Sequence, residues 1–424
     1  MLELWFDFSC PYAYLASRQV HRLGVEIAWR PMLLGGVFRG SGAGDGPMAT
    51  LSPAKARHNL EDMMRWADVF GVPFRLPAAH PMRTVRALRV LLALPHPRWP
   101  AAIAALYTAY WEHARDITQD AVIAAALEGD AGLSAAEVGA ALARVDDPAI
   151  KDELRTRTDE ALALGVFGAP AWIVRRPQGP LLLWGQDRLA WVAAILAGWD
   201  PDQGAPHSPP PPLPPAHAGA TLDVFFDVAS PFAYLALTQL PALARTTGVT
   251  PRLRPILLGA LFRDLGQVDV PWAAMPAAKQ RYVGLEMQRW ARWWGVPFDP
   301  PRRFPQRTIT AQRLCVLAAD AGFEPGVHLA IALGRAMWAE QADLNDEATL
   351  AGILAHAGLP ASWLAGASEP TVKAALVEST SAAKHAGAFG APTFVVDGRH
   401  LFWGQDRLDL VGRALAGWAP WSSR

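Results

Sequence analysis

The chain has 424 residues, 51% of them hydrophobic and 18% charged, with equal counts of 39 for Lys+Arg and for Asp+Glu. This length points to two or three domains, each with enough apolar material for a core. Zero formal charge without a basic run excludes an electrostatic footprint for nucleic acid or an anionic membrane, and no apolar stretch reaches the ~18 residues of a spanning helix.

Leu2 to Phe8 is a short apolar, aromatic run that reads as the first strand. It has no basic region ahead of it, so a secretory signal is not expected and a cytoplasmic location is. Pro11 follows where the first turn of a helix tolerates proline, which puts Cys10 at that helix's N-terminal end. Arg30-Pro31-Met32-Leu33-Leu34-Gly35 closes a second strand in a turn. An Ala-rich stretch from about 55 to 164 carries helical periodicity broken at Pro73, Pro77 and Pro95. Ala171 to Val174 reads as another strand, and Trp184-Gly185-Gln186-Asp187-Arg188-Leu189 leads into a last helix. Residues 200–219 hold the run Pro209-Pro210-Pro211-Pro212-Leu213-Pro214-Pro215, which forms neither helix nor ladder and extends as polyproline II, a semi-rigid tether. A PxxP ligand for an SH3-type partner is the functional alternative there.

The second half repeats the first. Phe6-Asp7-Phe8-Ser9-Cys10-Pro11-Tyr12-Ala13-Tyr14 returns as Phe226-Asp227-Val228-Ala229-Ser230-Pro231-Phe232-Ala233-Tyr234, and Arg30-Pro31 as Arg254-Pro255. Gly165-Val166-Phe167-Gly168-Ala169-Pro170 returns as Gly387-Ala388-Phe389-Gly390-Ala391-Pro392, and Trp184-Gly185-Gln186-Asp187 as Trp403-Gly404-Gln405-Asp406. The helical stretch recurs from 279 to 386, broken at Pro297 and Pro305, and Asp397-Gly398 is a tight hairpin turn between Thr393 to Val396 and Leu401-Phe402. Two copies of about 200 residues are duplicated globular domains, not a solenoid. The domains are 1–199, with a helical insert at about 55–160, and 220–420, with an insert at about 279–384; 200–219 is the linker. Strand-helix-strand, helices, then strand-strand-helix makes the fold class α/β: two tandem thioredoxin-like domains, each with an inserted all-helical subdomain.

One difference between the copies is chemically loaded, a thiol at Cys10 against a hydroxyl at Ser230. A group at a helix N-terminus faces unpaired N–H donors and the positive end of the macrodipole, which favours a thiolate over a thiol. Ser230 has no Ser-His-Asp order or GxSxG elbow to make it a nucleophile, and a hydroxyl donor to a bound thiolate fits better. Either residue reads equally as a cap or a small buried side chain. Cys10 and Cys315 occupy non-equivalent positions, which fits a reducing compartment rather than a disulfide framework; Cys315 packs an apolar helix face. The eleven histidines show no metal-ligand spacing. Trp111 and Trp338 read as core of the helical inserts.

These motifs together resemble the 2-hydroxychromene-2-carboxylate isomerase family, relatives of kappa-class glutathione transferases and DsbA-type oxidoreductases, over nearly all of both halves. The resemblance implies glutathione as cofactor, with Ser230 and Cys10 at the catalytic position, one hydrogen-bonding a thiolate that adds reversibly to a conjugated carbonyl acid. It implies a cis-proline loop at Ala169-Pro170 and Ala391-Pro392 facing the active turns at Pro11 and Pro231. It also implies that Gln186-Asp187 and Gln405-Asp406 start the last helix, as caps or as partners of the γ-glutamyl ammonium. Lys55 and Lys279 sit at the family's lysine position, where they meet a substrate carboxylate or are simply solvated. Gly42-Ala43-Gly44-Asp45-Gly46-Pro47 and Gly266-Gln267-Val268-Asp269-Val270-Pro271 lack the family's asparagine and paired prolines, which leaves substrate choice open. Cys10-Pro11-Tyr12-Ala13 lacks a second cysteine, so the alternatives are a monothiol oxidoreductase, a glutathione transferase using Cys10, or a glutathione-binding protein with one inactive half. Relatives are commonly homodimers, so the two halves are expected to form that pair within one chain, with small molecules as partners.

Overall fold

The computed structural model describes residues 1–44, 46, 51–206, 213–268 and 270–419. Asp45 and Pro47 of the first loop, Asp269 of the second, and His207 to Pro212 of the proline run lie outside the described residues. The chain divides into two compact units. Unit 1 is Met1–Leu51, Asn59–Gly198 and Pro276–Gln280; unit 2 is Ser52–His58, Trp199–Met275 and Arg281–Arg424.

Unit 1 is built on β1 (Leu2–Phe6), α1 (Pro11–Ser17), β2 (Ile27–Pro31) and α2 (Leu34–Ser41). Helices α3 (Pro53–Phe70, in this unit from Asn59), α4 (Val85–Ala93), α5 (Trp99–Tyr107), α6 (Asp120–Gly129), α7 (Ala135–Ala143) and α8 (Pro148–Ala163) follow. The chain returns to the sheet through β3 (Ala171–Arg176), β4 (Gly179–Trp184) and α9 (Leu189–Leu196). The sheet order is β2-β1-β3-β4, with β1 parallel to β2 and antiparallel to β3. Every residue of β1 is buried, so the strand is an uninterrupted apolar run apart from Glu3. Glu3 is held by Arg30 at 3.0 Å, Arg175 at 3.1 Å and the Trp5 indole at 3.0 Å, the pairing a buried charge requires.

Unit 2 repeats the plan with β5 (Leu222–Phe226), α10 (Pro231–Thr247), β6 (Arg252–Pro255) and α11 (Leu258–Asp264). Helices α12 (Ala277–Trp293, in this unit from Arg281), α13 (Ile309–Asp320), α14 (Phe323–Trp338), α15 (Glu347–His356), α16 (Trp363–Gly366) and α17 (Pro370–His385) form its helical part. β7 (Thr393–Val396), β8 (His400–Trp403) and α18 (Leu408–Leu415) complete a sheet of order β6-β5-β7-β8. The Asp397-Gly398 turn forms as its sequence predicts: both residues have positive φ, 52° and 69°, and Arg399 N–H closes onto Val396 O at 3.1 Å.

One local expectation changes. The first strands end at Phe6 and Phe226, not at Phe8 and Val228, because the buried Asp7 and Asp227 break the ladder to bind the following turns. The linker's described ends are docked in unit 2. The Trp199 indole donates to Gly204 O at 2.7 Å, Arg292 donates to Pro201 O at 3.0 Å, and His217 pairs with Asp397 at 2.9 Å. Among the described residues no helix is long and apolar enough to cross a membrane.

Candidate active site

In each unit three short stretches meet at one edge of the sheet, at the carboxyl end of the first strand, the amino end of the third (β3 or β7) and the carboxyl end of the fourth (β4 or β8). The first is the turn into the first helix. In unit 1 the buried Asp7 carboxylate accepts from Ser9 N–H (3.0 Å), Ser9 Oγ (3.1 Å), Leu34 N–H (2.8 Å) and the Thr84 hydroxyl. It thereby ties strand end, second turn and helical part together. Asp227 does the same with Ala229 N–H and Leu258 N–H, both 2.9 Å, and the Thr308 hydroxyl at 3.0 Å. Burial raises both carboxyls above the ordinary aspartate value despite these donors. Neither aspartate stands out in the sequence as a site residue, although both lie inside the repeated motif.

A second clamp comes from the helical parts. The Trp111 indole donates to Phe8 O and the Trp338 indole to Val228 O, each at 2.8 Å. These tryptophans are buried in the inserts, as expected, but they also fix the backbone just before the turns at Cys10 and Ser230. Unit 2 adds Gln312, fully buried, which donates to Phe226 O (2.9 Å) and Ile256 O (2.8 Å) and accepts from Val228 N–H (3.3 Å).

Cys10 is the N-cap of α1 with Pro11 at its first position, and Ser230 stands identically before α10 with Pro231. The Cys10 thiol donates to Ala169 O at 3.0 Å; the Ser230 hydroxyl donates to Ala391 O at 2.9 Å and accepts from Ala233 N–H at 3.2 Å. Here one expectation is corrected. Burial pushes the Cys10 thiol up to about 12; the buried Asp7 adds to this, and the N–H groups of Ala13 and Tyr12 oppose it without winning. Desolvation of the anion outweighs the helix terminus, so at neutral pH Cys10 is a thiol that donates a hydrogen bond, as Ser230 does.

The other two stretches are the proline loop and the last corner. Ala169-Pro170 and Ala391-Pro392 are both cis. Gly185 N–H donates to Pro170 O at 3.0 Å and Gly404 N–H to Pro392 O at 3.1 Å, which locks corner to loop. Gly185 and Gly404 have φ of +113° and +107°, and the Asp187 and Asp406 carboxylates fold back over them where a Cβ would stand. Each aspartate lies within a 3-10 turn, Gln186–Arg188 or Gln405–Arg407, rather than at the N-cap of the last helix. Those caps are Arg188 and Arg407, which pair with the same aspartates at 3.1 and 3.2 Å. Gly168 and Gly390 make room for the indole nitrogens of Trp184 and Trp403, which an added Cβ would meet at 2.7 and 2.5 Å. The Gln186 amide nitrogen and the Trp403 indole nitrogen are buried donors without an acceptor among the described residues.

The lysines lie where the sequence does not place them. Lys55 belongs to unit 2, its ammonium 5.2 Å from the centre of the Trp403 ring, and Lys279 belongs to unit 1, 5.3 Å from that of Trp184. Cys315 is buried in α13, and burial raises its thiol pKa. Among the described residues no group of three or more His, Cys, Asp or Glu side chains is arranged to hold a metal ion.

A model of the DSBA-like thioredoxin domain matches residues 1–197 and again 221–416. The chain is 30% identical over 203 residues to a 2-hydroxychromene-2-carboxylate isomerase of Sphingobium xenophagum, covering 45% of this chain and 95% of that protein. It is 29% identical over 208 residues to glutathione S-transferase kappa 1 of Rattus norvegicus, covering 46% and 90%. A solved 2-hydroxychromene-2-carboxylate isomerase structure aligns at 26% identity and a TM-score of 0.42, over 46% of this chain and 94% of that one. Matched across both halves, this chain belongs to the DSBA-like thioredoxin domain family as a tandem of two copies, similar to 2-hydroxychromene-2-carboxylate isomerases and kappa-class glutathione transferases.

Proposed function

We propose that the protein is a glutathione-dependent enzyme that isomerises a conjugated carbonyl acid. The observation that carries this reading is the repeated placement of a neutral donor, Ser230 O–H or Cys10 S–H, at a helix N-terminus and against the carbonyl of the proline loop. Bound glutathione would supply a thiolate that adds reversibly to the conjugated double bond. The chain's own groups suit such a ligand. The hydroxyl of Ser230 turns from Ala391 O to a sulfur, a charge-assisted bond that favours the thiolate. Asp406 and Asp187 offer carboxylates for an ammonium. The unpartnered donors of Gln186 and Trp403 are the type of group that a peptide's carbonyls and carboxylates satisfy.

The raised value of Cys10 weighs against a resting thiolate, and with it against the monothiol oxidoreductase and the Cys10-dependent transferase. The serine-type role then extends to both units, and Ser230, a better donor than a thiol, is the more active position. The similarity to 2-hydroxychromene-2-carboxylate isomerase and to kappa-class glutathione transferase supports the same assignment. The test is calorimetric titration of the full chain with glutathione, with turnover of 2-hydroxychromene-2-carboxylate measured with and without glutathione. Saturable binding and turnover only in its presence are the expected results; no binding at millimolar glutathione would overturn the reading.

A further inference from the structure

The turns at Cys10 and Ser230 are fastened by different side chains. Thr84 and Thr308 are the N-caps of α4 and α13, and both hydroxyls donate to the buried aspartate of their turn. One helical turn further on, unit 1 has Leu88 and unit 2 has Gln312, both fully buried. The Gln312 amide nitrogen donates to Phe226 O at 2.9 Å and to Ile256 O at 2.8 Å, and its oxygen accepts from Val228 N–H at 3.3 Å. The side chain thereby joins the end of β5 to the residue that follows β6. With the Trp338 indole on Val228 O, it holds both backbone groups of the residue two before Ser230.

Unit 1 lacks this amide and has a donor elsewhere. Tyr107, four residues before Trp111, donates from its hydroxyl to Asp7 O at 3.2 Å. The residue four before Trp338 is Gly334, where an added Cβ would meet the Tyr234 ring at 2.6 Å, so unit 2 has no room for a tyrosine there. A buried amide must find partners for its polar groups, a demand that an apolar side chain does not make. Leu88 shows that the same place in the fold is filled without one. Each copy nonetheless places one additional donor on the main chain within four residues of Cys10 or Ser230, from positions that do not correspond. What the two copies share is the stretch of chain that is held.

We propose that Gln312 is a positioning residue for Ser230: by fixing the main chain at Phe226 and Val228 it aims the Ser230 hydroxyl at the sulfur of bound glutathione, and it acts only through that serine. This rests on the glutathione reading above. The strength of a hydrogen bond to a thiolate depends on its distance and angle, so a loosened turn weakens the bond while the hydroxyl is still present.

The test is a double-mutant cycle on the full chain, made in the Cys10→Ala background so that unit 1 lacks its own donor. Gln312→Leu introduces the residue that unit 1 has at this position. The pKa of the bound glutathione thiol, followed by ultraviolet thiolate absorbance, should rise by about one unit. Affinity for S-methylglutathione, which has no thiol to ionise, should stay within about twofold. Added to Ser230→Ala, the same substitution should raise the thiol pKa no further than Ser230→Ala alone. An unchanged thiol pKa, or an equal rise without the serine, overturns the positioning role and leaves the glutathione reading standing. Gln312→Met, unbranched like glutamine, repeats the cycle if the leucine variant does not fold; failure of both to fold overturns the premise that the fold does without the amide, and the proposal with it. Absence of glutathione binding by the unaltered chain overturns the glutathione reading itself.

Discussion

Ser230→Ala removes a single oxygen that does two things in the resting structure and a third in the proposed reaction. It caps α10 by accepting from Ala233 N–H at 3.2 Å, and it satisfies the Ala391 carbonyl at 2.9 Å within a buried turn. Loss of an N-cap costs about 1 kcal/mol, and a buried carbonyl left without its donor about 1 kcal/mol or more. Unit 2 should therefore lose about 2 kcal/mol, or ~4–8 °C in Tm for a domain of this size. Function sets a separate scale. A hydrogen bond to a charged acceptor contributes about 1.5–3 kcal/mol, equivalent to ~1–2 units of thiol pKa. The pKa of glutathione bound at unit 2, followed by ultraviolet thiolate absorbance, should rise by about that much, and turnover at neutral pH should fall about 10- to 100-fold. A variant with lowered Tm whose bound thiol titrates as in the unaltered protein would refute the catalytic role and leave Ser230 as a helix cap alone.

Four further outcomes follow from the structure. Cys10 should resist alkylation by iodoacetamide at neutral pH and form thiolate only as pH approaches about 12; a titration midpoint below pH 8 would show that the helix terminus, not burial, governs it. Its folded value lies above the ordinary 9.0, so its contribution to stability is complete below pH 9 and is lost as pH rises toward 12, a decline that Cys10→Ala should reduce in pH-dependent denaturation. Asp7→Asn keeps the side chain's shape but replaces the oxygen that accepts from Leu34 N–H at 2.8 Å with an amide nitrogen. Unit 1 should lose about 1–3 kcal/mol by chemical denaturation, and an unchanged midpoint would refute the clamp. Trp111→Phe retains most of the apolar volume yet strips the indole donor from Phe8 O; a loss of about 1–2 kcal/mol is expected in the same assay, and a neutral result would reduce Trp111 to core packing.

Much of the architecture is legible in the sequence because it rests on short-range rules. The apolar run of β1 and β5, the proline at the first turn of α1 and α10, and the positive-φ turn at Asp397-Gly398 are local preferences of the chain. Duplication adds to this: two divergent copies that keep the same aspartate, proline and Trp-Gly-Gln-Asp positions show which residues the fold uses twice. Partners far apart in the chain are a different matter. Trp111 meets Phe8 over 103 residues of sequence and Gln312 meets Phe226 over 86, and neither pairing has a periodicity to announce it. The protonation of Cys10 depends on how completely the turn is desolvated, which only packing sets; the helix terminus visible in the sequence predicts the opposite sign. The placement of Ser52–His58 in unit 2 and of Pro276–Gln280 in unit 1 lies furthest from sequence reasoning, since each repeat reads as self-contained. The sequence by itself determined two thioredoxin-like copies and the type of group at each active turn. The tertiary structure decided how strongly burial raises the Cys10 thiol and which distant side chains hold each turn, because both follow from burial and long-range contact rather than from neighbours in the chain.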